Sequence, residues 1–527
     1  MTTDTTLLAS VAPALRDAFL QHDYTVDGLA AALGDAGVAA LGRSDAASTA
    51  RLASDAGPRG ELLRLFVLGE ALSREKIADL LPELDIDLAI RSGLLDDVAG
   101  TDVLHAGVDL RPVDTGSGAQ WVISDRDGSM VRVETRPDHV LGVGQASLSL
   151  LGITPPGRTR SVLDLGTGCG IQLLAQDSER RVGTDITPRC LDFAAATAAI
   201  NELDVDLRNG SWFSPVEGET FDRIVANPPF VIGTPEIGHS YRESGLHLDG
   251  ATKLVTEQAS EHLAPGGVAT LLGSWVLQEG EDWRSRLADW IPAEGVSAWV
   301  LLRDISGPEH YVWTWLTDEG ADPRTPEFRD SAARWLDHFA TENVAGLGFG
   351  YIYLQAIDGP SEVVCEELTH PFDPGLGAEA LAHFARADWL RDCDEADVDD
   401  CVFEIAPSVV IYESQRLGSA SGRAGVGPAP GESDSWFVVE RASGPRWRHE
   451  VDATIASVLR GIEQGGLPLA EIVQLAALSR GLDEQTAGSE IRSIIVDLFR
   501  HGIVVPRNAE GMCLEERWPA HDRRSSS

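Results

Sequence analysis

The stretch that most constrains the fold is Ser161-Val-Leu-Asp-Leu-Gly-Thr-Gly-Cys-Gly170, an apolar strand that runs straight into a glycine-rich turn and then into the helical pattern of Ile171 to Ala175. Glycines at alternate positions let the backbone turn tightly and let a ligand approach where a Cβ atom would otherwise stand. A buried strand of this kind needs parallel neighbours. From Val162 to Leu272 short apolar strands do alternate with helical segments, the pattern of a parallel sheet covered by helices on both faces, so the fold class expected is α/β. A bare G-x-G-x-G also suits a dinucleotide. Here Asp164 lies inside the strand end, and the spacing is not the G-x-G-x-x-G that suits a pyrophosphate.

The next strand, Arg181 to Ile186, places Asp185 at its end, where a carboxylate can accept hydrogen bonds from two ribose hydroxyls. Thr187 and Pro188 are an N-cap and N1 pair for a helix over Arg189 to Glu202. A fourth strand, Phe221 to Ala226, delivers Asn227-Pro-Pro-Phe230 at its C-terminal end. An amino group on a base or a carboxamide nitrogen is a poor nucleophile, because its lone pair is delocalised into the adjacent π-system. Two acceptors, the Asn227 side-chain oxygen and the Pro228 carbonyl, would draw such a nitrogen toward tetrahedral geometry and stabilise the positive charge that develops on it. Pro228 and Pro229 remove competing N–H donors and stiffen the loop, and Phe230 offers a flat face for stacking. This chemistry requires no strong base and no metal.

The glycine turn and Asp185 resemble motifs I and II of the class I S-adenosylmethionine-dependent methyltransferases, which implies a Rossmann-like core. The resemblance implies that Asp164 and the loop of Gly166, Thr167, Gly168 and Gly170 hold the amino-acid part of S-adenosyl-L-methionine, and that Asp185 holds the ribose, with Ile186 beside it. In many relatives an acid after the third strand meets the adenine amine. That region here reads Arg208-Asn-Gly-Ser-Trp-Phe213, so Ser211 would offer a hydroxyl instead, and Trp212 or Phe213 a stacking face. Val140-Leu-Gly-Val-Gly-Gln-Ala-Ser147 resembles the segment that closes over the methionine end of the cofactor, with Gly144 and Gln145 as contacts.

Asn227-Pro-Pro-Phe230 resembles the motif of small-domain methyltransferases of two kinds: nucleic-acid amino methyltransferases, acting on adenine N6 or guanine N2, and release-factor glutamine methyltransferases. The final Phe is the commoner residue in the ribosomal RNA enzymes. The motif thus implies catalysis by residues 227 to 230, with Asn227 also next to the cofactor, and RNA as the leading substrate, with a glutamine amide of a release factor as the alternative. The resemblance spans roughly residues 130 to 360. It includes a helix over Lys253 to Leu263, the turn Ala264-Pro-Gly-Gly267 before a fifth strand, and late strands at Ala298 to Leu302, Tyr311 to Leu316 and Phe349 to Leu354.

A chain of 527 residues exceeds one ordinary core, and three domains are expected, at 1–125, 126–360 and 361–527. Helical patterns through Leu62 to Leu68, after Ser73 and up to Leu95 precede extended segments at Val103 to Val108 and Trp121 to Ser124, which read together as a winged-helix-like module with a two-stranded ribbon. A second such module is expected where helical stretches at Ile455 to Ile462, Leu469 to Leu475 and Ile491 to Phe499 lead into an extended Gly502 to Pro506. Leu417 to Ser435, rich in Gly, Ser, Ala and Pro, reads as a flexible loop.

The formal charge of −41 opposes broad, nonspecific binding to nucleic acid. An RNA site would have to gather arginines on one face, with Arg132, Arg136 and Arg242, and Arg446 and Arg448 around Trp447, as candidates. Tyr241 and Arg242, in the loop Gly238 to Gly245, would stack on a base and meet a phosphate. The six cysteines form no C-x-x-C pair, so they read as reduced thiols and no structural zinc site is expected. The chain shows no apolar run long enough to cross a bilayer and no signal-peptide pattern at Met1, so the cytoplasm is the expected compartment.

Overall fold

The alternating segments after residue 158 build one sheet of eight strands: β1 (Thr159–Leu165), β2 (Ser178–Asp185), β3 (Asp206–Asn209), β4 (Phe221–Ala226), β5 (Leu263–Gln278), β6 (Glu294–Ser306), β7 (Val344–Pro360) and β8 (Glu362–Glu367). Their spatial order is β3-β2-β1-β4-β5-β7-β6-β8. The first five strands are parallel to one another, and β7 runs antiparallel between β5 and β6. Val162 to Leu165 are buried with neighbours on both sides, which is why this strand reads as a continuous apolar run and not as an alternation. The chain steps outward from β1 to β3 and then returns to β4, so the order reverses between β1 and β4. A crevice at the carboxyl ends of strands at such a reversal is where open α/β sheets bind ligands.

Helices of this part of the chain include α1 (Gln145–Ile153), α2 (Ile171–Leu174), α3 (Pro188–Ile200), α4 (Gly250–Glu261), α5 (Pro308–Asp318) and α6 (Pro326–Thr341). The computed structural model describes residues 3–133, 136–229, 231–233, 246–318, 320–369, 375–415, 435–481 and 484–507. It divides into two compact units, Met1–Glu367 and Leu368–Ser527. Among the described residues, no helix is long and apolar enough to cross a membrane.

Two elements differ from expectation. Tyr311 to Leu316 is not a strand but the middle of α5. Its aromatic and β-branched residues favour strands in isolation, but Tyr311, Val312 and Leu316 bury one helical face against Trp335 and Phe339 of α6, and that packing overrides local preference. The ribbon is also paired otherwise. Val103–Ala106 is the middle strand of a small antiparallel sheet, between Leu72–Ser73 and Leu95–Asp97, whereas Gln120–Ser124 pairs with Asp109–Val113, its near neighbour in sequence. The three helices beside that small sheet, Gly57–Phe66, Arg74–Leu80 and Ile86–Ser92, lie where the sequence places them. Ser73 caps the second, its hydroxyl accepting the Lys76 N–H at 3.2 Å.

This amino-terminal part shares a core with the sheet domain. Phe19, Phe66 and Trp121 belong to the same buried cluster as Phe193, Ala196 and Ile200 of α3. The Gln120–Ser124 strand is bonded to α3 through side chains: Asn201 accepts the Trp121 N–H at 3.0 Å and donates to its carbonyl at 2.7 Å, and Thr197 accepts the Ile123 N–H at 3.1 Å.

In the second unit, helices Ala453–Gln464, Leu469–Arg480 and Glu484–Arg500 precede the strand Val504–Pro506, which pairs with Phe403–Ile405. Strands Val409–Gln415 and Ser435–Arg441 pair antiparallel. Of the expected loop, Leu417 to Ser435, all but the last residue lies outside the described residues, and Ser435 opens a strand. Buried Glu379 is held between two guanidinium groups, accepting from Arg386 and, at 2.9 and 2.8 Å, from Arg441.

Candidate active site

The glycine turn begins where β1 ends. The N–H groups of Gly166 and Thr167 both donate to the Thr184 carbonyl of β2 at 2.9 Å, which folds the turn back over the sheet edge. Gly166 and Gly168 have φ of +75° and +53°, and a Cβ at either would meet nothing within 4 Å. The loop therefore presents bare, open backbone to the crevice.

Two carboxylates flank this cradle. Asp164 is 1% exposed and accepts the Thr167 hydroxyl at 2.7 Å. Burial, reinforced by the nearby Asp185, pushes its pKa up to about 7, against the opposing effect of that hydrogen bond. Asp185 clamps the turn: Oδ2 accepts the Gly168 N–H at 3.0 Å and Oδ1 the Thr187 N–H at 2.9 Å. Burial raises its pKa, and these backbone donors oppose the rise. Thr187 occupies the N-cap of α3 as expected, but its side chain makes no capping bond, and it is its own N–H that Asp185 holds. The Cys190 thiol of α3 also donates to this carboxylate.

Beyond Asp185 the edge is built by β3 and its exit. The Asn209 side-chain amide donates to the carbonyls of Asp185 and Ile186 at 3.0 Å each, fixing the turn. Ile186 is left 65% exposed beside the carboxylate, an apolar surface fit for the flat face of a ring. Ser211 is exposed and Trp212 half-buried, with φ of +49°. Phe213 does not face the crevice. It is buried and stacks on His262 at 4.7 Å, so its sequence-based option as a ring partner is corrected to core packing.

Across the reversal, Leu165 of β1 is paired with Ala226 of β4, which sets Asn227 beside the start of the glycine turn. Pro228 is buried. The Asn227 Oδ1 atom is buried and has no hydrogen-bond partner among the described residues. Buried acceptors are nearly always paired, so an unpaired one at a ligand crevice calls for a reason. Phe230, Tyr241 and Arg242 lie outside the described residues.

The segment before the turn holds two of the expected contacts and is tied down by residues that sequence reasoning missed. Gly144 and Gln145 are exposed at the start of α1. Gln172, the second residue of α2, is buried and donates to the Ser147 carbonyl at 2.9 Å, tying α1 to the glycine turn. Asp125 accepts the Val140 N–H at 2.8 Å and is clasped by Arg189 of α3. These partners are far apart in sequence, and no local pattern marks them. Tyr311, whose hydroxyl accepts the Ile232 N–H at 2.7 Å, was hidden by the strand assignment.

The arginine candidates are not one bare patch. Arg136 is bonded to Asp138 at 2.9 and 3.2 Å, while Arg132 is exposed. In the second unit Arg448 stands opposite Glu440, and Trp447 is buried and stacked on His501 at 4.5 Å, so it offers no face to a base. Among the described residues no group of three or more His, Cys, Asp or Glu is placed to hold a metal ion.

Residues 142–278 match the family model described as Methyltransferase small domain, and residues 21–106 and 381–506 match two models described as domains of unknown function. A protein of Aliivibrio fischeri named release factor glutamine methyltransferase is 35% identical over 139 residues, which cover 24% of this chain and 47% of that protein. The protein of that name in Xylella fastidiosa is 33% identical over 162 residues, covering 28% and 56%. A Salmonella arizonae protein named ribosomal RNA small subunit methyltransferase C is 29% identical over 222 residues, covering 40% and 58%. The chain thus spans about half the length of the relatives it matches. The segment that carries the open glycine turn, Asp185 and Asn227 is the one that matches the methyltransferase small domain model.

Proposed function

We propose that the chain is an S-adenosylmethionine-dependent methyltransferase acting on a planar amino or amide nitrogen. The observation that carries this reading is the unpartnered, buried Oδ1 of Asn227 at the end of β4, next to a glycine cradle flanked by Asp164 and Asp185. The residues present fit the cofactor. The open backbone at Gly166 and Gly168 would receive its amino-acid part, Asp164 would face the ammonium, Asp185 would accept from the ribose diol, and Ile186 would lie against adenine. When bound, S-adenosylmethionine would supply an electrophilic methyl group to the substrate nitrogen. Asn227 Oδ1 and the Pro228 carbonyl accept the two N–H groups of the substrate, orient its lone pair and stabilise the developing charge.

An RNA base, at adenine N6 or guanine N2, is the substrate that Phe230 favours. The second reading, a glutamine amide of a protein such as a release factor, is favoured by the charge of −41, which repels a phosphate backbone. Both substrates belong to the cytoplasm, the proposed compartment. Incubation with labelled S-adenosylmethionine and, in parallel, ribosomal RNA, transfer RNA and release factors separates them. Label in a nucleoside, with binding that weakens steeply in salt, supports RNA; label on glutamine alone overturns it. Label on none of them, with no binding of the cofactor, overturns the methyltransferase reading itself.

A further inference from the structure

The loop that presents Asn227 lies beyond the strand ladder of β4. Its two prolines donate no backbone hydrogen bond, and strand pairing of β4 ends at Ala226. Downstream, Ile232 is 1% exposed and its N–H donates to the Tyr311 hydroxyl at 2.7 Å. Tyr311 is itself 1% exposed and stands on firm ground: its ring stacks on Phe349 of β7 with centroids 5.9 Å apart and packs edge-on against Phe339 of α6 at 6.0 Å. Val231 and Ile232 belong to the same apolar cluster, so their side chains are gripped by α5 and α6 while the hydrogen bond fixes the backbone between them.

We infer that Tyr311 is a positioning residue for catalysis, anchoring through the Ile232 amide the backbone that follows Asn227, Pro228 and Pro229, so that the Asn227 oxygen stands at its working distance from the nitrogen to be methylated. The inference rests on the reading of that loop as catalytic. Misplacement of a reacting group by about 1 Å costs on the order of 100-fold in rate, whereas cofactor affinity resides in Asp164 and Asp185 on β1 and β2. Removing the hydroxyl therefore separates the two.

The test compares the full chain with Tyr311→Phe, with Phe339→Leu as a packing control that leaves the hydrogen bond intact, and with Asn227→Ala as the loop reference. Tyr311→Phe is expected to lower kcat about 10- to 100-fold on the labelled substrate, leave the Kd of S-adenosylmethionine within twofold, and speed hydrogen exchange in a peptide spanning residues 231 to 233. Phe339→Leu is expected to lower Tm without lowering kcat. Wild-type kcat and exchange in Tyr311→Phe overturn the inference, as does a loss of kcat matched by equal loss of cofactor affinity and by the same loss in Phe339→Leu. If Asn227→Ala retains full turnover, the catalytic reading of the loop fails and the inference with it. If no substrate is methylated by the wild type, the proposed function fails, and unchanged exchange in Tyr311→Phe still overturns the anchor.

Discussion

Arg189 clasps Asp125, bonding both carboxylate oxygens, and the same guanidinium reaches the Asp138 carbonyl at 3.2 Å. Asp125 in turn accepts the Val140 N–H and donates its own N–H to the Val140 carbonyl at 3.1 Å. The pair therefore ties the segment that leads into α1 to the helix that follows Asp185. Asp125→Asn leaves a largely buried guanidinium without its counter-ion, and breaking a buried pair from one side costs about 3–5 kcal/mol. The expected outcome is a lower Tm together with about tenfold weaker binding of S-adenosylmethionine, because the segment must be ordered at the moment of binding. Calorimetry of wild type and variant at equal temperature checks it; unchanged affinity would confine the clasp to stability.

Asp185→Ala removes a charged acceptor from the ribose and frees the Gly168 N–H. A hydrogen bond to a charged group is worth about 1.5–3 kcal/mol, so the Kd of S-adenosylmethionine should rise by one to two orders of magnitude. Titration calorimetry reads this directly, and a variant that binds as tightly as the wild type would remove Asp185 from the site.

Asn227→Ala should spare cofactor binding and lower kcat by about 10²- to 10³-fold, the usual effect of deleting one oriented group that acts as charge develops. Single-turnover kinetics with labelled cofactor measure it. Turnover equal to that of the wild type would show that the loop does not act on the nitrogen.

Asp164 gives a dependence on pH. The folded chain holds its proton up to about 7, whereas an unfolded Asp releases it near pH ~3.9. Between these values the folded state binds more protons than the unfolded one, so the stability of the ligand-free protein should fall as pH rises from about 4 to about 7, by at most about 4 kcal/mol, and level off above. Cofactor affinity should move the other way, rising as the carboxylate ionises to meet the ammonium. Thermal melts and binding isotherms across pH 5 to 8 test both, and Asp164→Asn should flatten both curves.

In the second unit, burial alone would raise the Glu379 carboxyl, but Arg386 and Arg441 outweigh it and hold the group below the usual range. Its contribution to stability is present above the pKa of an unfolded Glu and is lost as pH falls through the lower folded value. Glu379→Gln at neutral pH strands two guanidinium groups, so urea unfolding of the full chain should show a loss of about 3–5 kcal/mol. A loss under 1 kcal/mol would mean that the arginines find other partners.

What was legible in the sequence was local. Ser161 to Gly170, Asp185 and Asn227-Pro-Pro-Phe230 announce themselves because strand, turn and helix signals stand in register with the residues that do the chemistry. Asp125, Gln172 and Arg189 were not legible, because their partners are set by tertiary packing and not by spacing. Tyr311 was misread for a physical reason: Tyr-Val-Trp-Thr-Trp-Leu has the composition of a strand, and only its burial against α6 makes it a helix. Trp447 was offered as an RNA contact on composition alone, and stacking on His501 withdraws it.

The bonds from Asn201 and Thr197 to the Gln120–Ser124 strand bear on how the molecule can be divided. The stretch that matches the methyltransferase small domain model begins at residue 142, but α3 wears its amino-terminal neighbour as a garment. Cut at residue 126, it would stand with Phe193 and Ile200 wet and two polar side chains unmatched. The recognisable domain and the smallest autonomous one are therefore different objects, and any excised enzyme should carry the first 125 residues with it.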